Sequence, residues 1–376
     1  MDHCVFSDKL RILPFNRNRL ENKLLEALSK WRENSETAYG RLPLPPVCYS
    51  SDEIYKLELE RIFKKEWICT AHVSELKEVG DYLTFDLVGH PVLIIHDGEG
   101  EVHAYSNVCP HRAARLASGS GNKKSITCPY HAWTFELDGK LRGAPRMEPG
   151  QLENICLNPL NLEIWQGLVF VNLDLEAMPL APRLESLASH IGRFNLAEHS
   201  TTFTTDGELD CNWKVFVENF CESYHVFKVH KNTLEPDTPT STVEVLPGGA
   251  GYNHHTMTVI TSDEPLDNKD NLCCIYPCMV VSIGKNGCLW LSIRPTSRNR
   301  LQYRAWIAGK LNGHPGEEES IEQEIAHVLA FMAEDNVIME GIQIGLDAGL
   351  GNLGPLNEME KTNWQFGQYY AGKLLD

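Results

Sequence analysis

Two short stretches of the chain carry one thiol and one imidazole each: Cys109-Pro110-His111-Arg112 and Cys128-Pro129-Tyr130-His131. Sixteen residues separate His111 from Cys128, and the proline in each stretch marks a loop. Thiolates and imidazoles are metal ligands, so three readings stand side by side. The four residues are unrelated core side chains, or a structural zinc site, or the ligands of an iron–sulfur cluster in which two Cys hold one iron and two His the other. Zinc spacing ordinarily puts both cysteines in one half and both histidines in the other. One of each per loop, in the same order, suits the iron–sulfur cluster. Such a cluster accepts and passes electrons but does not oxidise a substrate alone, so a second reactive site is expected.

His225 and His230 are candidates for that site. Trp213, Phe216, Val217, Phe220 and Tyr224 recur at helical spacing, which predicts a helix over Trp213–His225. On a straight helix the two imidazoles would point about 140° apart, so the helix must end or bulge between them. Unrelated surface histidines are the plain alternative. Late in the chain, Ile325, Val328, Leu329, Met332, Met339 and Ile342 form the apolar stripe of a long helix predicted over Glu317–Leu346, and Asp335 sits on that stripe. A carboxylate on a buried face is costly unless paired or metal-bound. It needs an arginine or lysine partner, or a metal shared with His225 and His230. Two His and one carboxylate on one face of Fe(II) leave positions open for O2.

The surrounding elements fall into three regions. A helical stretch with Leu20, Leu24, Leu25, Leu28 and Trp31 on one face ends in the Pro-rich 42–47 segment; a second helix follows, capped by Ser51 or Asp52. From Gly80 to Asp174 short strands alternate with turn dipeptides: Tyr82–Val88, Pro91–His96, Val102–Ser106, Trp133–Leu137 and Ile164–Asn172. Beyond them come the helices already named and strands over Leu289–Arg294 and Leu301–Lys310. Helices beside antiparallel strands make the fold class α+β. The chain has 376 residues, 42% of them hydrophobic, enough for two or three domains with a sizeable core. With 51 acidic against 34 basic side chains, a net charge of −17, nucleic-acid binding is excluded as a leading reading. No apolar run reaches the roughly 18 residues of a membrane span, and no secretory signal is visible, so a cytoplasmic protein with mostly reduced thiols is expected. Cys273, Cys274 and Cys278 lie in an apolar run, where buried thiols are ordinary.

Cys109-x-His111 with Cys128-x-x-His131, followed by Trp133, Asp138 and Gly139, resembles the Rieske motif of the Rieske non-haem iron oxygenases. Asn212-Trp213-Lys214, Glu218-Asn219, Tyr224-His225 and His230 resemble the first signature of that family's catalytic domain. Glu334-Asp335, Glu340 and Gln343 resemble the segment carrying the third iron ligand. The resemblance spans roughly residues 45–360. It implies a helical segment at 1–44, a small antiparallel Rieske [2Fe–2S] domain at 45–165 and a helix-flanked antiparallel-sheet catalytic domain at 166–376. It implies that Cys109, His111, Cys128 and His131 hold the cluster, that His225, His230 and Asp335 hold a mononuclear Fe(II), and that Glu222 and Asn219 serve catalysis. Two departures stand out. Ala113 occupies a position where the family usually has glycine, a small change if its φ stays below zero; Ala132 is within the family's usual choice. Glu222 stands where most members have aspartate, and resembles a subgroup acting on quaternary ammonium compounds such as carnitine, choline or glycine betaine.

The activity implied is that of an oxygenase component. It would use O2 and electrons from a separate NAD(P)H-dependent reductase, since no nucleotide-binding loop is evident. Subunits would form a ring, often a trimer, in which Glu222 bridges His225 to the Rieske histidine His131 of a neighbour. The reaction would hydroxylate an N-methyl group, leading to demethylation, or an adjacent C–H of a small cationic substrate. Phe227, Tyr252, His254, Tyr276, Trp290 and Trp306 are candidates for an aromatic cage around an ammonium. An aromatic-ring or aryl-acid oxygenase is the alternative, and a non-catalytic Rieske electron carrier the alternative of another class.

Overall fold

The computed structural model describes residues 19–38, 40–148, 150, 152–260, 268–284, 287–309, 317–349 and 353–376. Two seven-stranded antiparallel sheets dominate. In spatial order the first comprises Ile68–His72, Leu168–Asn172, Pro159–Trp165, Val102–Ser106, His90–His96, Asp81–Leu87 and Ser120–Asn122. A three-stranded sheet, Ile126–Thr127, Thr134–Phe135 and Leu141–Gly143, sits beside it. The second large sheet runs Ser200–Leu209, Arg300–Gly309, Cys288–Ser297, Met279–Ile283, Lys269–Ile275, Tyr252–Thr258 and Glu244–Val245.

The region read as one strand over Ile164–Asn172 is a hairpin. Gln166 and Gly167 both take positive φ, 52° and 81°, the requirement of a tight two-residue turn. Val169 and Phe170 on the far side continue the apolar run, which hid the reversal in the sequence. Gly167 is obligatory there, because a Cβ would come within 2.7 Å of the His72 imidazole. Ser51, rather than Asp52, caps the Asp52–Glu58 helix by accepting from the Ile54 amide at 3.3 Å.

Alternation along the second sheet separates two faces. Leu289, Leu291, Ala305 and Ile307 pack in one cluster with Val215 and Phe216 of the helix Trp213–Cys221 and with Val328 and Met332 of the long helix Glu317–Ala348. Trp290, Trp306, Cys273 and Val281 pack in another with Leu187 and Ile191 of the helix Glu185–Ile191 and with Phe170 of the first sheet. On the long helix Leu329 and Ile342 are exposed, contrary to the predicted stripe; Val328, Met332, Asp335, Met339, Gln343 and Leu346 are the buried side. Gly349 follows that helix at φ +64° as its left-handed terminator, Gly345 lies within it, and Gly351 falls outside the described residues.

A wholly buried ion pair pins the Trp213–Cys221 helix to the N-terminal part of the chain. Lys214 Nζ donates to Glu58, both side chains having no exposure. Glu58 also accepts from Trp213 Nε1 at 2.8 Å and the Tyr370 hydroxyl at 2.6 Å. The ammonium lies 5.0–5.4 Å from the ring centroids of Trp213, Tyr370 and Tyr49. Removing one member strands the other charge, so Lys214→Met is expected to destabilise the fold by about 3–5 kcal/mol, read as a lowered denaturant midpoint with an unchanged slope.

Candidate metal centres

The two Cys/His loops are built alike. Cys109 N donates to Ala114 O at 2.8 Å and Ala113 N to Cys109 O at 2.9 Å. Cys128 N donates to Trp133 O at 2.8 Å and Ala132 N to Cys128 O at 3.1 Å. Each loop thereby turns its sulfur inward and its imidazole outward. Cys109 and Cys128 are both 2% exposed and their thiols are neighbours, whereas His131 is exposed and His111 half-buried. The imidazole centroids are 4.7 Å apart, and His111 stacks on Trp133 at 4.5 Å. Two paired buried thiols below two adjacent surface imidazoles fit a cluster whose one iron takes sulfur and whose other takes nitrogen.

The condition under which alanine at 113 is a small change, a φ below zero, is not met. Ala113 and Ala132 sit at φ +57° and +58°, because each loop must reverse within five residues to close its pair of hydrogen bonds. Left-handed backbone costs a residue with a Cβ about 1–2 kcal/mol, partly offset by the ~0.5–1 kcal/mol of extra chain entropy that glycine loses on folding. Ala113→Gly is therefore expected to raise the melting temperature of the holoprotein by about 2 °C; a fall on calorimetry would show that the alanine methyl has a packing role.

The helix predicted over Trp213–His225 ends earlier, at Cys221, with Glu222 extended at φ −134°, ψ 162°. His225 and His230 then flank the single turn Val226–Val229, as the residues before and after it. Their rings come 5.2 Å apart, edge to face. Asp335 reaches them from the long helix: its Oδ1 is 3.0 Å from His230 Nε2 and 3.6 Å from His225 Nε2. One ligand atom from each of the three residues lies within 4.8 Å of the others. Among the described residues neither lysine nor arginine pairs with Asp335, which removes the ion-pair explanation of its burial.

The far nitrogen of each ring is held by a carboxylate. His225 Nδ1 is 2.6 Å from Glu222 Oε1, and His230 Nδ1 is 2.7 Å from Glu334 Oε2. An ionised carboxylate only accepts, so both Nδ1 atoms carry the proton and both Nε2 lone pairs face Asp335, the arrangement that suits metal ligation. Glu222 is fixed in turn by the Tyr224 and His225 amides, the latter at 3.2 Å. Thr233 Oγ1 donates to Glu334 at 2.7 Å, and Asn219 Nδ2 donates to Asp335 Oδ1 at 3.3 Å. Burial opposes a charged His225 ring, yet Glu222 and Asp335 outweigh it and its pKa is raised. Three carboxylates around two imidazoles create a field that favours a bound cation, so the residues present fit a divalent metal with sites left open.

Sequence reasoning missed the role of Glu334, seen only as part of a motif, and took His255 for a pocket or surface residue rather than a ligand. His255 Nε2 meets Ser223 Oγ at 2.8 Å. Burial pushes the His255 pKa down to about 3, and its Nδ1 is buried without a partner. Asp270 lies one alternation step from Leu272, the cross-strand partner of His255, on the same face; burial, then the Glu324 charge, push its pKa up to about 6. Hydrophobic alternation does not flag Asp270, because a polar residue in a strand reads as outward-facing.

The expected aromatic cage is not assembled. Trp290 and Trp306 stack on one another at 5.9 Å in the cluster on the opposite face of the sheet. Tyr252 joins that cluster, and His254 packs on His190 there at 5.1 Å. Tyr276 is buried against Tyr369 at 4.4 Å, and Phe227 is exposed beside Tyr224. Cys273, Cys274 and Cys278 are buried thiols, with Cys278 pushed up to about 12 by burial.

Comparison with known proteins places both centres in a recognisable frame. The Rieske [2Fe-2S] domain matches residues 66–165, and the ring hydroxylating alpha subunit catalytic domain matches residues 195–375. Over 197 residues the chain is 42% identical to the carnitine monooxygenase oxygenase subunit of Acinetobacter pittii, covering 50% of this chain and 52% of that protein. It is 35% identical over 215 residues to the chloroplastic choline monooxygenase of Beta vulgaris, 54% of this chain and 48% of that protein. The chain thus spans about half the length of the curated relatives it matches. Among solved structures, the quaternary ammonium Rieske monooxygenase CntA superposes with a TM-score of 0.82 at 27% identity, over 92% of this chain and 98% of that one. Naphthalene 1,2-dioxygenase from Rhodococcus sp., at 19% identity and a TM-score of 0.79 over 95% and 99%, shares the fold. With the two domain matches in order along most of its length and this likeness over nearly all of it, the chain belongs to the Rieske non-haem iron oxygenases, as the oxygenase alpha component.

Proposed function

We propose that the protein is the oxygenase component of a two-component system that hydroxylates a small quaternary ammonium compound at an N-methyl group or an adjacent C–H, using O2 and electrons from a separate NAD(P)H-dependent reductase. The observation that carries this reading is the convergence of His225 Nε2, His230 Nε2 and Asp335 within 4.8 Å, with each Nδ1 already taken by a carboxylate. When bound, the mononuclear iron would offer open positions to O2, and the [2Fe–2S] cluster on Cys109, His111, Cys128 and His131 would supply electrons.

The chain's own residues prepare that chemistry. Glu222 and Glu334 fix the two imidazoles in the ligand tautomer, Asn219 positions the Asp335 oxygen, and Ser223 ties the ligand segment to His255. Val328, Met332 and the Phe331 ring, 6.0 Å from His230, keep that side of the site dry. Glu222 is also the residue through which a neighbouring subunit's His131 would be joined. Exposed Tyr130 beside His131, and exposed Tyr224 and Phe227 beside His225, supply apolar surface for such an apposition in a ring of subunits, a trimer by family resemblance.

The cationic substrate class rests on Glu222 in place of aspartate, on the ammonium-acting relatives, and on Asp270. That half-buried carboxylate has no lysine or arginine partner among the described residues, and at neutral pH it would be ionised. The test is NADH-dependent O2 uptake, with product analysis, by the reconstituted pair on a panel of betaines and a panel of aryl acids. Turnover confined to the betaines is expected; turnover confined to aryl acids would replace the substrate class. No turnover, with total iron of about two rather than about three per chain, would make the protein an electron carrier.

A further inference from the structure

A charged cleft, lined by none of the metal-centre residues, lies where the strand Asp81–Leu87 of the first sheet meets three strands of the second. It is a cleft of about 440 Å³ with Thr84 and Phe85 on one wall and Asp206, Arg294, Gln302 and Arg304 among the residues on the other. The two arginines are side by side in the fold and poorly paired. Arg294 is 11% exposed at the side chain and Arg304 22%. Both Nε atoms are buried without an acceptor. Asp206 stands 3.8 Å from Arg294 and 3.9 Å from Arg304, and Glu75 is 3.9 Å from Arg304. These separations exceed hydrogen-bond reach.

The remaining acids near the cleft are committed elsewhere. Glu75 accepts from Trp306 Nε1 at 2.8 Å and from the His72 amide at 3.0 Å. Glu208 is engaged by Arg300 and by Gln302 Nε2 at 2.8 Å. Asp206 itself is 64% exposed. Stacking fixes the guanidiniums instead: Arg294 lies 4.1 Å over the Phe85 ring, and Arg304 5.5 Å over Trp306. Among the described residues, the only oxygen hydrogen-bonded to Arg294 is the Asp86 carbonyl, at 3.4 Å. Burial, opposed by Asp206 and reinforced by Arg304, lowers the Arg294 pKa. Two fixed, half-desolvated planar cations beside an open cleft form a receptor for an oxyanion.

We propose that this inter-sheet cleft binds a small oxyanion, a carboxylate or phosphate group with at least two acceptor oxygens, bridged between Arg294 and Arg304. It is independent of the iron chemistry and clamps the first sheet to the second. Titrating the metal-replete holoprotein with inorganic phosphate and, separately, acetate, at ionic strength held constant with sodium chloride, tests it by calorimetry and thermal shift. A saturable response to one anion is expected, and which one responds distinguishes the two sources. Arg294→Gln and Arg304→Gln should each weaken it about tenfold. Asp206→Asn, at an exposed position, should tighten it ~3-fold by removing a competing negative charge, which a purely structural role would not do. A response equal in all variants, matched by sodium chloride alone, or absent for both anions, would overturn the proposal.

Discussion

Asp335→Ala is expected to cut product formation about a thousandfold or more while the visible spectrum of the cluster stays intact. The helix should survive, since alanine is the strongest helix former and the flanking Met332 and Met339 remain buried. What is lost is the only carboxylate among the described residues that faces both Nε2 atoms, at 3.0 and 3.6 Å. Iron analysis should then fall by about one atom per chain, leaving the two of the cluster. Asp335→Asn keeps shape and an oxygen for the Asn219 amide but removes the charge, and should resemble the alanine variant in iron content. Retained iron and retained turnover in both would mean that the imidazole pair recruits another third ligand, and the assignment of Asp335 would be withdrawn.

Glu222→Gln is expected to leave both metals bound and to lower turnover by about a hundredfold, with reduction of the cluster by the reductase unchanged. A glutamine oxygen can still accept from His225 Nδ1, which keeps the ligand imidazole in place, while the contacts that the other carboxylate oxygen makes to the Tyr224 and His225 amides are lost. The change removes the negative charge, on which a bridge to a second imidazole depends. Glu222→Ala goes further, freeing the two amides and the imidazole together, and should also lower iron affinity. Product formation equal to that of the parent protein in the glutamine variant would remove the bridging role.

Much of this site was legible before any coordinates. Cys109, His111, Cys128 and His131 announce themselves by type and spacing, and Asp335 by being charged on an apolar stripe. The paired sheets and the long helix follow from alternation and period. The rest was hidden for physical reasons. Glu222 interrupts what reads as one helix because its extended backbone lets its carboxylate fold back onto the Tyr224 and His225 amides, a side-chain interaction that periodicity does not see. Trp290 and Trp306 have the chemistry of an ammonium cage, but strand parity puts them on the wrong face. Ala113 adopts a left-handed backbone because two hydrogen bonds close its loop, whatever the preference of its Cβ.

The central claim is that one ferrous ion is held jointly by His225, His230 and Asp335. Anomalous diffraction at the iron absorption edge from crystals of the iron-replete protein tests it directly. The account predicts a single-atom peak within bonding distance, about 2.0–2.2 Å, of both Nε2 atoms and an Asp335 oxygen, separate from the two-iron peak at the Cys/His loops. A cluster peak alone, with Asp335 drawn onto a lysine or arginine, would contradict it.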